Sequence, residues 1–267
     1  MPVTALADTW RHRWLLRSLL QRELRNRYAG TSGGLVWVFL HPMLMLAIYA
    51  VVFQYVFRVK LPDADPSQPY VVWVAVTLWP WIAFSEALSR GTVAVQQHAD
   101  LVKKVAFPQE LLVYSAVLTS LLIHAAGYAL VLMLLWGWGY EIRFAGVVPM
   151  GLWAWLVLGC AATGLALFLG ALHVFLRDVE QLLGQVLTML FFASPVLYPL
   201  ALAPAGLRDA LAFNPLAQVL EPLRAAALGL GLPQPWLLLA ALGSGVALWI
   251  GGLAWFRRLS PHFEDQL

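Results

Sequence analysis

The sequence is poor in what a soluble catalyst or a disulfide-stapled domain would need. Its one cysteine, Cys160, sits within an apolar run, so no intramolecular disulfide can form. Such a thiol reads as a small buried hydrophobe. Charged residues make up only 12% of the chain, roughly half the share usual in a soluble domain. No lysine is followed by Ser or Thr. A Walker A phosphate loop is therefore missing, no nucleotide cofactor is expected in this chain, and any ATP hydrolysis has to come from another polypeptide. His41 precedes Pro42, and His124 stands within a long apolar run; neither has Cys, Asp or Glu at ligand spacing, so no metal site is expected. The first 30 residues contain no apolar h-region, so no signal peptide is expected and the first apolar run should stay as a span.

Apolar residues in long blocks take the place of all this. They form 61% of the 267 residues, and the mean hydropathy is +0.74. The chain reads as an all-α membrane protein. Arg17 to Tyr28 is a basic amphipathic stretch. Leu16, Leu19, Leu20, Leu24 and Tyr28 fall on one face, with Arg17, Arg22, Glu23, Arg25 and Arg27 around the rest. That pattern suits a helix lying in the membrane interface, cations among the headgroups. After the small-residue hinge Ala29 to Gly34 come 23 residues without a charge, Leu35 to Phe57. As a helix this run is ~34 Å long, enough to cross the hydrocarbon core.

The order that follows predicts an interfacial region over 1–30 and six spans, at 35–57, 70–90, 109–138, 147–172, 181–200 and 235–256. A polar loop over 91–107 joins the second and third spans. The segment 201–233 carries Pro204, Arg208, Asn214, Pro215, Glu221, Pro222 and Arg224, too broken to span and too apolar for an ordinary loop. It is expected to form two short re-entrant helices buried against protein, because broken backbone cannot face lipid. Basic residues orient the chain. Twelve fall on the proposed cytoplasmic side: six before the first span, Arg90, Lys103, Lys104, Arg177, Arg257 and Arg258. Five fall outside: Arg58, Lys60, Arg143, Arg208 and Arg224. This bias puts both termini in the cytoplasm. It also explains the net charge of +3, so nucleic acid is not expected as a partner.

Two features invite a chemical reading. Glu86 is a carboxylate within the second span, and Arg90 stands four residues on, the spacing of a helical ion pair, which is favoured here over a proton relay. Leu242-Gly-Ser-Gly245 with His124 invites comparison with intramembrane serine proteases of the rhomboid type. That pattern wants Gly two residues before the serine, where this chain has Leu242. Small residues so spaced serve helix packing, and an intramembrane enzyme is the weaker reading.

Four stretches resemble one family. They are Arg22-Glu-Leu-Arg-Asn-Arg-Tyr28 with Gly34-Leu-Val-Trp37 and His41-Pro-Met-Leu44; Leu101-Val-Lys-Lys-Val-Ala-Phe-Pro108 with Glu110-Leu-Leu112; Phe175-Leu-Arg-Asp-Val179; and Ser194-Pro-Val-Leu-Tyr-Pro199 through Asn214-Pro215 to Arg224. In order, these resemble the permease subunits of ABC-2 type polysaccharide exporters, the Wzm, KpsM and TagG-like proteins of O-antigen, capsule and teichoic acid export. The family usually has Asn where this chain has His41.

The resemblance implies a permease homodimer in the bacterial inner membrane, bound to two copies of a separate cytoplasmic ATPase that holds ATP and Mg2+. A lipid-linked polysaccharide would pass between the permeases, with membrane lipids around them. By similarity, Gln96, Gln97, His98, Asp100, Leu101, Lys103 and Lys104 belong to the coupling helix that docks on the ATPase. Arg17 to Tyr28 form the interfacial helix at the cytoplasmic mouth, and Arg208, Asn214, Pro215, Glu221 and Arg224 belong to the outer gate. A permease for small lipids or drugs shares the same plan.

A sliding glycan needs weak, repeated contacts, and aromatic rings supply flat apolar surface with a polar edge. Tyr49, Phe53 and Phe57 share one helical face, and Trp79 and Trp81 flank Pro80. These five are the candidate channel lining; helix packing and the interfacial belt are the competing roles.

Overall fold

A computed structural model describes residues 11–28, 35–59 and 70–267. The hinge at 29–34 and most of the polar loop before Tyr70 lie outside the described residues, as does the side chain of Tyr28. All regular structure among the described residues is helical.

Helix α1 (Arg13–Tyr28) turns Leu15, Leu16 and Leu19 toward the bundle and leaves Arg17, Arg22 and Arg25 exposed. Helix α2 (Leu35–Val51) continues into a π-helical turn, Val52–Val56, and ends at Arg58, whose φ of 49° turns the backbone out of the helix. Its face of Trp37, Leu40, Leu44, Ile48 and Val51 is open to the surroundings, as an apolar helix in lipid can be.

Helix α3 (Tyr70–Gln97) is the axis of the fold. Val74, Ala75, Val76, Thr77 and Ala87 have no exposure at all. It packs against α5 (Glu110–Gly137) and α6 (Phe144–Phe175), and α10 (Pro235–Leu259) closes on α6. The stretch 91–107, expected as a loop, carries α3 on to Gln97 and then forms the short α4 (Ala99–Lys104). Gly91 is a packing notch and not a break. A Cβ there would lie 2.6 Å from that of Ala166 and 2.8 Å from Val117.

Helices come closest where α6 meets α10. A Cβ on Gly252 would sit 2.0 Å from the Gly164 carbonyl oxygen, and one on Gly164 would sit 2.3 Å from the Leu248 carbonyl. Lipid tails are as apolar as Leu, so association in a membrane relies on such backbone approach. The serine of Leu242-Gly-Ser-Gly245 donates to the Ala241 carbonyl of its own helix at 2.8 Å, and Gly245 abuts the Val157 carbonyl. Gly245 is a packing position, and Ser244 is exposed.

Among the described residues, five stretches are long and apolar enough to cross a membrane: Phe39–Val56, Tyr70–Gln97, Glu110–Gly137, Phe144–Phe175 and Pro235–His262. The stretch read as a fifth span, 181–200, holds α7 (Asp178–Phe192), 15 residues long, followed by tight turns. Pro195 and Pro199 cannot donate to a continuing ladder. Beyond it lie α8 (Ala205–Ala212) and α9 (Ala217–Leu228), the latter capped by Gly229 at φ 74°. The tail folds back on the bundle. Phe263 is fully buried against Phe256 and Phe175, at centroid distances of 5.2 and 6.0 Å.

Candidate functional site

Helices α2, α3 and α7 line an open-sided cavity of about 510 Å3. One part is aromatic, walled by Tyr49, Trp81, Phe191 and Phe192; another is polar, with His41, Ser85, Glu86, Ser89 and Thr188. The polar wall follows from helical spacing, since Ser85 and Ser89 are one turn apart with Glu86 between. Ser85 donates to the Ile82 carbonyl at 3.1 Å and Thr188 to the Gly184 carbonyl at 3.0 Å. With their protons used within their own helices, both hydroxyls keep acceptor lone pairs. Phe191 joins the two aromatic sides, 5.9 Å from Tyr49 and 5.7 Å from Trp81. The site can therefore offer ring faces and hydroxyl acceptors to one ligand.

The five aromatic candidates separate into three places. Tyr49 and Trp81 line the cavity. Phe53 stacks on Tyr70 at 5.8 Å and meets Phe57 at 5.4 Å, forming an aromatic column beside the cavity; Phe57 is largely exposed. Trp79 faces α5, where a Cβ on Gly127 would lie 2.8 Å from its indole. Sequence reading missed Phe191 and Phe192. Their signal is the series Gly184, Leu187, Thr188, Phe191, which recurs at helical spacing and lines the cavity from α7.

Glu86 gathers partners from three helices. Arg90 Nε donates to Oε1 at 2.8 Å, Arg27 Nη2 lies 3.0 Å from the same oxygen, and His124 Nε2 is 2.6 Å from Oε2. Arg27 also donates to Ser120 Oγ at 2.5 Å, while Glu23 stands 4.0 Å from Arg90. The expected Glu86–Arg90 pair is present, but it is one edge of a larger network, and His124 belongs to it. Arg17, Arg22 and Arg25 point away from the bundle.

The outer-gate candidates form a clamp. Arg224 is 2% exposed. Its guanidinium lies 3.4 Å over the Trp73 ring, donates to Thr77 Oγ1 and Glu221 Oε1, each at 2.8 Å, and reaches the Pro195 carbonyl at 2.5 Å. The Tyr70 hydroxyl bonds the Leu197 carbonyl alongside. Asn214 donates to Ala193 O and Ser194 Oγ and accepts from the Leu216 amide. Arg208 ties α8 to the Ala201 and Ala203 carbonyls, and Pro215 is exposed. These residues satisfy the backbone that the proline-broken turn leaves without a ladder.

At the other end of α3, Gln97, Asp100, Lys103 and Lys104 are exposed, and Gln96, His98 and Leu101 half-buried. His98 Nδ1 lies 2.9 Å from the Ala94 carbonyl. Val102, 1% exposed, anchors α4 from below, a residue the sequence reading passed over. Arg257 of α10 holds Glu110 Oε1 at 2.6 Å just after this segment. No group of three His, Cys, Asp or Glu suited to a metal occurs among the described residues.

Comparison with known proteins places this architecture. Residues 15–228 match the profile of the family described as "ABC-2 type transporter". The chain belongs to the ABC-2 type transporter family. This ABC-2 permease is 34% identical over 256 residues to the O-antigen export system permease protein RfbA of Myxococcus xanthus, covering 92% of this chain and 93% of the relative. It is 24% identical to the RfbA permease of Klebsiella pneumoniae, over 95% of both chains. It is 26% identical to the polysialic acid transport protein KpsM of Escherichia coli, over 79% of this chain and 80% of that one. The long apolar helices of this ABC-2 permease fit its place as a multi-pass inner-membrane protein.

Proposed function

We propose that this chain is the permease subunit of an ATP-driven exporter that moves a lipid-linked polysaccharide, O-antigen above capsule polymers, from the cytoplasm across the inner membrane. The observation that carries this reading is the end-to-end similarity to an O-antigen export permease. The channel forms between two copies of the permease, whose α2 and α7 walls bring the aromatic and hydroxyl-lined cavity to the shared face. Ring faces meet the C–H faces of sugars, and acceptor hydroxyls meet their OH groups, each weakly enough for sliding. ATP and Mg2+ belong to two copies of a separate cytoplasmic ATPase. The chain itself is not an enzyme.

Six crossings and cytoplasmic termini complete this reading. α7 and the turns after it make the fifth crossing, and α8 and α9 re-enter the outer leaflet with the Arg224 clamp as their anchor. If α1 lies in the interface, Glu86 and His124 mark its level. α3 then runs on ~16 Å beyond Glu86, and α5 starts ~21 Å before His124, at 1.5 Å per residue. α4 is thereby held clear of the membrane, within reach of an ATPase groove, presenting Asp100, Lys103 and Lys104 while Val102 anchors it.

Charge reversal at Asp100, or a bulky residue at Leu101, should abolish export while the protein still inserts. Cysteines at Asp100 or Lys103 should cross-link to the ATPase, and cysteines at Pro62 or Pro69 should not. Efficient cross-linking from the latter pair would overturn both the docking and the orientation.

A further inference from the structure

Arg27 and Arg90 are the cations on one oxygen of Glu86, and His124 holds the other. His124 is 2% exposed, and its Nδ1 has no hydrogen-bond partner among the described residues. A proton on Nδ1 would be a buried donor with no acceptor, whereas a bare lone pair there costs less. The proton therefore sits on Nε2, and the ring acts as a one-sided donor to Oε2. That bond fixes the carboxylate so that Oε1 faces Arg27 and Arg90. Through Arg27, which also bonds Ser120, it settles where α1 rests against α5. Glu86 faces the cavity as well, so one side chain touches both the interfacial helix and the space a ligand would occupy.

We infer that Glu86 and His124 are positioning residues: they hold Arg27, and with it α1, at the polar end of the cavity, and so set the opening through which a substrate enters from the cytoplasmic side. The inference rests on α1 lining that mouth. A histidine that merely packs would do none of this, and the two roles separate by chemistry. Gln at position 124 places its amide nitrogen where Nε2 stands and keeps the donor. Asn places its nitrogen nearer Nδ1, and Leu fills space with no donor.

The test uses the full chain in lipid nanodiscs, with Cys160→Ala and spin labels on Ser18→Cys of α1 and Val105→Cys beyond α4, both exposed positions. His124→Gln should keep the distance distribution of the parent protein. His124→Leu, His124→Asn and Glu86→Gln should broaden it or shift it outward. In cells, surface polymer should stay within about twofold for His124→Gln. It should fall roughly tenfold for the other three, less than the full cost of breaking a buried pair because Glu86 keeps 29% side-chain exposure. A parent-like distribution for His124→Leu would overturn the inference in favour of packing. Displaced α1 with undiminished export would overturn it too, by severing position from passage. If the parent complex exports no polysaccharide, it is the substrate assignment that fails, and the spin distances still decide the positioning.

Discussion

Gly252→Leu should leave a protein that inserts but does not hold its fold, losing its monodisperse peak in detergent and its cooperative thermal transition. The reason is local and leaves little room for adjustment. The first atom of any side chain at position 252 would lie 2.0 Å from the Gly164 carbonyl oxygen, 2.7 Å from its carbon and 3.0 Å from its Cα. All three are backbone atoms of α6, so no rotamer change can relieve the contact, and the helices have to part. Forced separation of a packed pair costs about 3 kcal/mol, at the upper end for overpacking, and little else draws helices together in lipid. Gly251, with nothing within 4 Å of its added Cβ, supplies the control. Gly251→Leu should be close to neutral in thermal unfolding. Equal stability of the two variants would mean that the α6–α10 crossing is not what holds this half of the bundle.

Arg224→Met should have the second-largest effect. The guanidinium is buried, stacked on Trp73, and shared among Thr77, Glu221 and the Pro195 carbonyl. Met fills most of the volume but strands these acceptors and leaves Glu221 without its cation. Stranding a buried acceptor costs about 1–3 kcal/mol, and the charge left on the partly exposed Glu221 adds less because solvent screens it. Arg224→Lys should recover part of this, since an ammonium carries the charge but lacks the planar fork that meets several acceptors at once. Glu221→Gln should cost less than Arg224→Met, because the amide oxygen still accepts from the guanidinium, which keeps Trp73, Thr77 and the Pro195 carbonyl. Thermal unfolding of the three variants reads the order directly. Stability of Arg224→Met within the scatter of the parent would show that the turn after α7 is held by its own backbone.

Part of this is legible in the sequence alone. The leucine face of α1 and the Glu86–Arg90 spacing are local patterns, and local patterns survive folding. Burial was not legible, because α2 and the first half of α3 are apolar on nearly every side. Only packing reveals that α2 faces outward and α3 is enclosed. The same holds for Trp79 and Trp81, two residues apart and thus on different faces of one helix. One presses on Gly127 and the other lines the cavity. His124 lies 38 residues from Glu86, a separation no periodicity can bridge. That the helix within 181–200 stops at Phe192 was not legible for a related reason. Hydropathy counts Val196 and Leu197 as span, while the proline-broken backbone there is held by Arg224 and Asn214 from later in the chain.

The most direct measurement is transport by the reconstituted complex of this permease and its ATPase in sealed vesicles, supplied with lipid-linked polysaccharide on the ATPase side. Polymer should appear on the opposite side only with ATP, and only when both subunits are present. Tyr49→Ala should slow its appearance severalfold while complex assembly and basal ATPase activity stay unchanged, because the ring lost faces the cavity; Phe53→Ala, in the column beside it, should slow it less. ATP turnover by the permease alone, or polymer crossing at equal rates with and without ATP, would contradict the assignment.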